Sequence, residues 1–198
     1  MARVSDFKSQ LIGGGARPNQ FMVSLKFPQY VLGGSISQLQ GQFMCKAAQL
    51  PASTLENIVI PYRGRVVNVA GERTFENWQI SVYNDTNFGI RNAFERWSDG
   101  IQNNAASTGR VSPSDYQVDM TVVQLDRNGA HVKTYKFVDA YPSSIGAIGL
   151  DFDNTNQIEQ FDVVFTFNYW TSNTTSGAAG FGVSAAVDTP LGTFALPI

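Results

Sequence analysis

Residues 60–101 read IPYRGRVVNVAGERTFENWQISVYNDTNFGIRNAFERWSDGI, and the order of patterns in this stretch decides the fold class. Residues 65–69 (RVVNV) are β-branched and suit an extended chain. Ala70-Gly71-Glu72 then reads as a turn, because Gly71 can take positive φ at no steric cost. Trp78, Ile80 and Val82 alternate with Gln79, Ser81 and Tyr83, the period-2 signature of a strand with one buried face. Asn84-Asp85-Thr86-Asn87 supplies side chains that cap helices. Beyond it, Ile90, Phe94, Trp97 and Ile101 fall on one helical stripe. The stretch predicts strand, turn, strand and a short amphipathic helix. It holds no catalytic constellation.

Working outward, Gly13-Gly14-Gly15 and Pro18 mark a flexible arm over residues 1–20. Phe21, Val23, Leu25 and Phe27 alternate with Met22, Ser24 and Lys26, which predicts a first strand. Residues 33–34 punctuate a loop, residues 41–50 form a second strand candidate, and Pro51 stops it. Residues 58–60 are short and apolar before Pro61. Past the helix, residues 103–113 are polar and predict a surface loop. Gln117, Asp119 and Thr121 then alternate with Val118, Met120 and Val122. Asp126-Arg127-Asn128-Gly129 predicts a hairpin turn, returned by a strand over 131–139. Residues 142–149 read as a connection, with a brief extended piece at 150–152. The last strand, 157–170, is the longest: Phe161, Val163, Phe165, Phe167 and Tyr169 share one face, and Gln160, Asp162, Thr166 and Asn168 the other. Seven or more strands with one helix predict a mainly β protein, an antiparallel sandwich or barrel carrying one short packed α-helix.

The chain has 198 residues, enough for one domain with a sizeable core. Only 15% of residues are charged, against a usual ~25%, while 12% are aromatic. That balance excludes a disordered chain and favours a subunit whose exterior is covered by neighbours. A net charge of −2 offers no global attraction for nucleic acid. Cys45 is the only cysteine, so no internal disulfide exists, and after Phe43 and Met44 it reads as a small buried hydrophobe. His131 is the only histidine and sits just past the Asn-Gly turn, where a surface position is expected. Asp151, Asp153 and Thr155 with Asp162 carry the spacing of a calcium loop, but Asn156 stands where the glycine is needed, so a turn between strands is the better reading. The residues thus predict no enzyme, no cofactor and no metal. The N-terminus lacks a signal sequence's apolar core, and no run reaches the length of a membrane helix.

Several segments together carry a family resemblance: ARPNQF (16–21), CKAAQLPA (45–52), VAGERTFENW (69–78), YND (83–85), LDFDNTNQIEQFDV (150–163) and YW (169–170). In collinear order they resemble the tail tube protein of contractile-tail bacteriophages. The resemblance divides the chain into an N-terminal arm, 1–20, a tail-tube β domain, 21–170, and a C-terminal extension, 171–198. The extension has no counterpart, and Phe181, Leu191, Phe194 and Leu196 give it apolar anchors.

The resemblance implies a structural subunit that forms stacked hexameric rings around a channel for genome delivery. Its implied partners are other copies of itself, the tail sheath protein, the baseplate and tail terminator proteins, and phage DNA only in transit. The implied location is the virion tail tube, assembled in the host cytoplasm, with no membrane insertion. Candidate subunit and ring contacts are Arg17, Arg63, Arg65, Gly71, Glu72 and Arg73. Candidate lumen-facing residues are Gln117, Asp119, Thr121, Gln160, Asp162 and Thr166, since a wet channel wants polar faces. The expected core is Trp78, Ile90, Phe94, Trp97, Phe161, Phe165 and Phe167. The competing readings are a baseplate tube initiator, a tube subunit of a related contractile injection or secretion system, and, from another class, a monomeric carbohydrate-binding β-sandwich.

Overall fold

The computed structural model describes residues 3–11, 15–103 and 105–174. Ala2, Gly13, Gly14 and the anchors Phe181, Leu191, Phe194 and Leu196 lie outside the described residues. The elements are α1 (Val4–Gln10), β1 (Phe21–Ser24), α2 (Gly34–Met44), β2 (Cys45–Ala48), β3 (Ser53–Tyr62), β4 (Arg65–Phe75), β5 (Trp78–Tyr83), α3 (Gly89–Ile101), β6 (Val118–Leu125), β7 (His131–Ile145), β8 (Gln160–Thr166) and β9 (Tyr169–Ser172). The protein is mainly β and every named strand pairing is antiparallel, as the alternation predicts.

Six strands lie side by side in the order β1-β6-β7-β8-β5-β2, and β9 pairs with β7 off that path. The 15-residue β7 holds the two halves together. Its first part pairs with β6 and β9, and Tyr141 to Ile145 pair with β8. At the change of partner Asp139 takes φ 58°, and register shifts fall on both sides of it. Such irregularities bend a strand and let it serve two sheets.

Both halves and α3 feed one core. Val23, Met120, Val122 and Phe137 meet Trp78, Ile80, Val82, Phe161, Val163 and Phe165, and α3 contributes Ile90, Ala93, Phe94 and Trp97. Trp78 stacks on Phe137 with ring centroids 4.2 Å apart, and Phe94 stands edge-on to Phe161 and Phe165. Burying each such side chain contributes about 1.5–3 kcal/mol. The indole N–H groups are not orphaned: Trp97 donates to the Tyr116 carbonyl at 2.9 Å and Trp78 to the Gln49 carbonyl at 2.8 Å. Arg91 ties α3 to the chain after β7, donating to the Gly146 carbonyl at 2.6 Å and pairing with Glu95.

Several expectations are corrected. Residues 34–44 are helical, so the second strand candidate shrinks to Cys45–Ala48 and Gly33, at φ 82°, precedes the helix. The helix forms because Gly34, Ser37 and Gly41 share one side and let the backbone approach the body closely. Helices α1 and α2 thus join the single one foreseen. Ala70-Gly71-Glu72 is not a turn: β4 runs straight through it, and the reversal lies at Arg63-Gly64, both with positive φ. The short apolar piece at 58–60 belongs to a strand of 10 residues. The connection at 142–149 is strand as far as Ile145, and 150–152 is not a strand. The long last strand is two, broken at Phe167-Asn168, so Tyr169 leaves the core row and stands 47% exposed. Cys45 is half-buried rather than buried, beside an exposed Phe43.

Candidate functional site

The body leaves one element unsupported. Strands β3 and β4 form a separate two-stranded ribbon, and neither packs extensively on another element. At 10 and 11 residues, the ribbon reaches ~33 Å from its base. A two-residue loop with positive φ at both Arg63 (47°) and Gly64 (77°) closes it, the dihedral pattern of a type I′ turn. Cross-strand pairs place Ile58 opposite Val69, Ile60 opposite Val67 and Tyr62 opposite Arg65 on one face. On the other face the Asn57 amide donates to the Asn68 amide oxygen at 2.9 Å. Leu55, Ile58, Val59, Ile60, Tyr62, Val66, Val67 and Val69 are all exposed. A lone ribbon is marginal in water, and an exposed apolar ribbon with two open edges calls for a partner.

Most candidate contact residues gather on this ribbon. Arg63 sits in its turn with the guanidinium 5.4 Å from the Tyr62 ring centre, and Arg65 opens β4. Glu72 and Arg73 are exposed nearer the base. Gly71 is half-buried where the register slips between Leu55 and Asn57, and a Cβ there would stand 3.1 Å from the Glu56 carbonyl oxygen. Arg17 lies apart, by the end of β6, where its carbonyl accepts from the Gln124 amide at 2.7 Å.

The candidate lumen residues fall into two groups on different halves of the sheet system. Gln160, Asp162 and Thr166 share the outward face of β8. There Lys46 donates to Gln160 at 2.6 Å, Ser81 donates to Asp162, and Thr166 donates to Asn77 at 3.3 Å. Asp119 and Thr121 face outward on β6, and Thr121 lies between Ser24 and Lys136 in register. Lys136 Nζ stands 2.6 Å from Asp119 Oδ2. Partial burial alone would push the Asp119 carboxyl up, but the Lys136 ammonium and the Asp139 amide outweigh it and hold the carboxyl below its usual range. The hydrogen bond and charge of Asp119 in turn raise Lys136. Gln117 precedes β6 and lines a hollow with Tyr30, Arg110 and Asp115. The seven core residues named from the sequence are each at most 8% exposed and lie in one cluster.

No group of three or more His, Cys, Asp or Glu side chains converges among the described residues, and no described helix is long and apolar enough to cross a membrane. His131 is exposed at the start of β7, and burial pushes the Cys45 thiol up to about 12, away from the reactive thiolate. One surface escaped the sequence reading. Leu32, Ile36, Leu39 and Phe43 are all strongly exposed; the last three share a stripe of α2, and Leu32, just before the helix, continues their spacing. That spacing was the available signal.

The sequence and the fold are both shared with known proteins. The chain matches the family described as phage tail tube protein over residues 16–173. It is 34% identical to tail tube protein gp19 of Enterobacteria phage T4 across 161 residues, covering 80% of this chain and 92% of that protein. Its fold is similar to the tube terminating cap of the anti-feeding prophage, with a TM-score of 0.59 at 16% identity over 80% of this chain and 90% of the other. It is also similar to a chain of the sheath-tube complex of the extracellular contractile injection system PVC, with a TM-score of 0.52 at 13% identity over 87% and 98%. The length of the match and the identity to gp19 decide the assignment: this chain belongs to the phage tail tube protein family.

Proposed function

We propose that this tail tube protein is the structural subunit of a contractile phage's tube, forming hexameric rings that stack around a channel for genome delivery. The observation that carries this reading is the β3–β4 ribbon, whose exposed apolar face and open edges need further copies to cover them. A heterologous contact repeated by rotation closes a ring, and repeated with a rise it builds a stack. In this reading Arg17, Arg63, Arg65, Gly71, Glu72 and Arg73 contact neighbouring copies. Gln117, Asp119, Thr121, Gln160, Asp162 and Thr166 face the channel. In the same reading, 21–170 is the folded unit between an N-terminal segment, 1–20, and a C-terminal extension, 171–198, with β9 running on to Ser172.

The role asks for no catalysis and no cofactor. The sheath surrounds the tube, the baseplate and terminator bound its ends, and DNA only passes through. That arrangement is supported by kinship with T4 gp19 and by a fold shared with a chain of a sheath-tube complex. Assembly takes place in the host cytoplasm before the finished tail reaches the virion. The carbohydrate-binding alternative loses its ground, because the aromatic row Phe161, Phe165 and Phe167 is internal.

Negative-stain microscopy of the purified chain, alone and with its baseplate, tests the proposal. Sixfold rings or tubes with a continuous channel are the expected result. Particles that remain monomeric in both preparations overturn it.

A further inference from the structure

Helix α2 is amphipathic the wrong way round. Its small residues Gly34, Ser37 and Gly41 are buried against the body, while Ile36 and Leu39 stand about two-thirds exposed and Phe43 stands 84% exposed. Leu32, just before the helix, extends the stripe and is 78% exposed. The packing explains the inversion: a Cβ on Gly34 would stand 2.9 Å from the Phe27 Cβ and one on Gly41 2.8 Å from the Leu25 Cδ1, so the inner side favours small residues. No charged residue occurs between Lys26 and Lys46. Covering this stripe therefore desolvates no ion on the helix.

The ribbon presents a second uncharged apolar surface. Ile58, Ile60, Val67 and Val69 share a face, and no charged residue occurs from Asn57 to Tyr62 or from Val66 to Gly71. Within the helix the stripe from Ile36 to Phe43 spans ~10 Å, and Leu32, just before it, lengthens it toward the ~14 Å from Ile58 to Tyr62 along a strand. The two surfaces remain exposed in the same molecule because the ribbon makes no extended packing on α2.

We propose that the α2 stripe of one copy is the receptor for the apolar face of a second copy's β3–β4 ribbon. The inference rests on the tube-subunit reading and names the surface that receives the ribbon. Each copy gives one ribbon and offers one stripe, so a closed or continuous array covers both without remainder. Contact between unlike patches of identical chains is heterologous, as a ring or stack requires.

The test uses the full chain carrying Cys45→Ser, with Leu39→Cys and Val67→Cys together and each alone. Tubes of the double variant, oxidised and run without reductant, should give a ladder of covalent multimers; each single variant should stay monomeric on the gel. A second arm places Leu39→Asp and Val67→Lys separately and together. Both residues are exposed in the single copy, so subunit melting should stay at the parent value. Each single charge should raise the concentration needed for assembly about tenfold or more, and the pair should recover most of that loss. Intact tubes that give no ladder overturn the inference while leaving the tube-subunit reading in place. So does a Leu39→Cys cross-link to Phe7→Cys of α1, or a stripe that becomes reactive only when residues 175–198 are removed. A wild-type chain that makes neither rings nor tubes overturns both.

Discussion

Gly34 lies so close to Phe27 that a Cβ built on it would stand 2.9 Å from the Phe27 Cβ. Phe27 in turn packs on Phe94 and Trp97 of α3, with centroids 5.1 and 5.6 Å away. The position of α2 is thus set by backbone-to-side-chain contact at its first turn. Phe27 cannot swing its Cβ aside, so the added methyl of Gly34→Ala must displace either the helix or the segment that follows β1. The substitution should destabilise the subunit by about 1–3 kcal/mol. A thermal melt of the unassembled chain should fall by several degrees, and an unchanged melting temperature would show that α2 has room to move.

The ribbon should be the least protected sheet of the isolated subunit. Among the described residues only its base is held, by Phe75 against Phe167, whereas β5 and β8 are anchored by buried Trp78, Ile80, Phe161 and Phe165. Hydrogen exchange of amides 53–75 in the monomer should outpace that of β5 and β8 by orders of magnitude, and should slow in assembled tubes. Gly64→Val, which forces a branched side chain to φ 77°, should accelerate it further.

Reversing charges on the ribbon should act on assembly and spare the fold. Arg65 and Glu72 are exposed in β4, and neither belongs to an ion pair within the described chain. Arg65→Glu combined with Glu72→Lys should leave the monomer's melting within about 0.5 kcal/mol of wild type while shortening or abolishing tubes. Normal tube lengths in micrographs would remove these residues from the stacking contact.

The Asp119–Lys136 pair should leave a small acid and alkaline signature on stability. Asp119 is held below its ordinary value of 3.8, so its contribution is present above that pH and fades as pH falls through the lowered value. Lys136 is raised above 10.5, so its contribution is present below that pH and fades as pH rises through the raised value. Their side chains are 34% and 49% exposed, and solvent screening keeps the pair within about 1 kcal/mol. Lys136→Met should flatten the acid limb of a stability–pH curve, with little change in shape between those limits.

Local chemistry made some elements legible. Asp126 accepts from the Asn128 and Ala130 amides at 2.8 Å each, and Gly129 takes φ 79°, so the β6–β7 turn is written within five residues. The period-2 run of β5 and the stripe of α3 are equally local, because each has one wet face and one dry face. The family segments were legible for a different reason: they are short, dissimilar and in fixed order.

Other elements were hidden because their reasons lie elsewhere in the chain. The ribbon's turn sits at Arg63-Gly64, although Ala70-Gly71 is as good a turn dipeptide. Pairing Ile58 with Val69 and Ile60 with Val67 decides between them, and that gain depends on residues across the strand pair. Helix α2 carries two glycines, so propensity does not announce it, and the spacing of Ile36, Leu39 and Phe43 hints at a helix without saying that this side faces outward. Its inner face is selected by Leu25 and Phe27.

By itself the amino-acid sequence determined the antiparallel β class, the α3 stripe, the aromatic core and the family, because these follow from local periodicity, burial preference and ordered segments. Tertiary structure alone decided that β7 serves two sheets, that β3 and β4 stand clear of the body, and that α2 turns its apolar side outward. Those outcomes depend on long-range register and close backbone approach. Such energies arise only once distant parts of the chain have met.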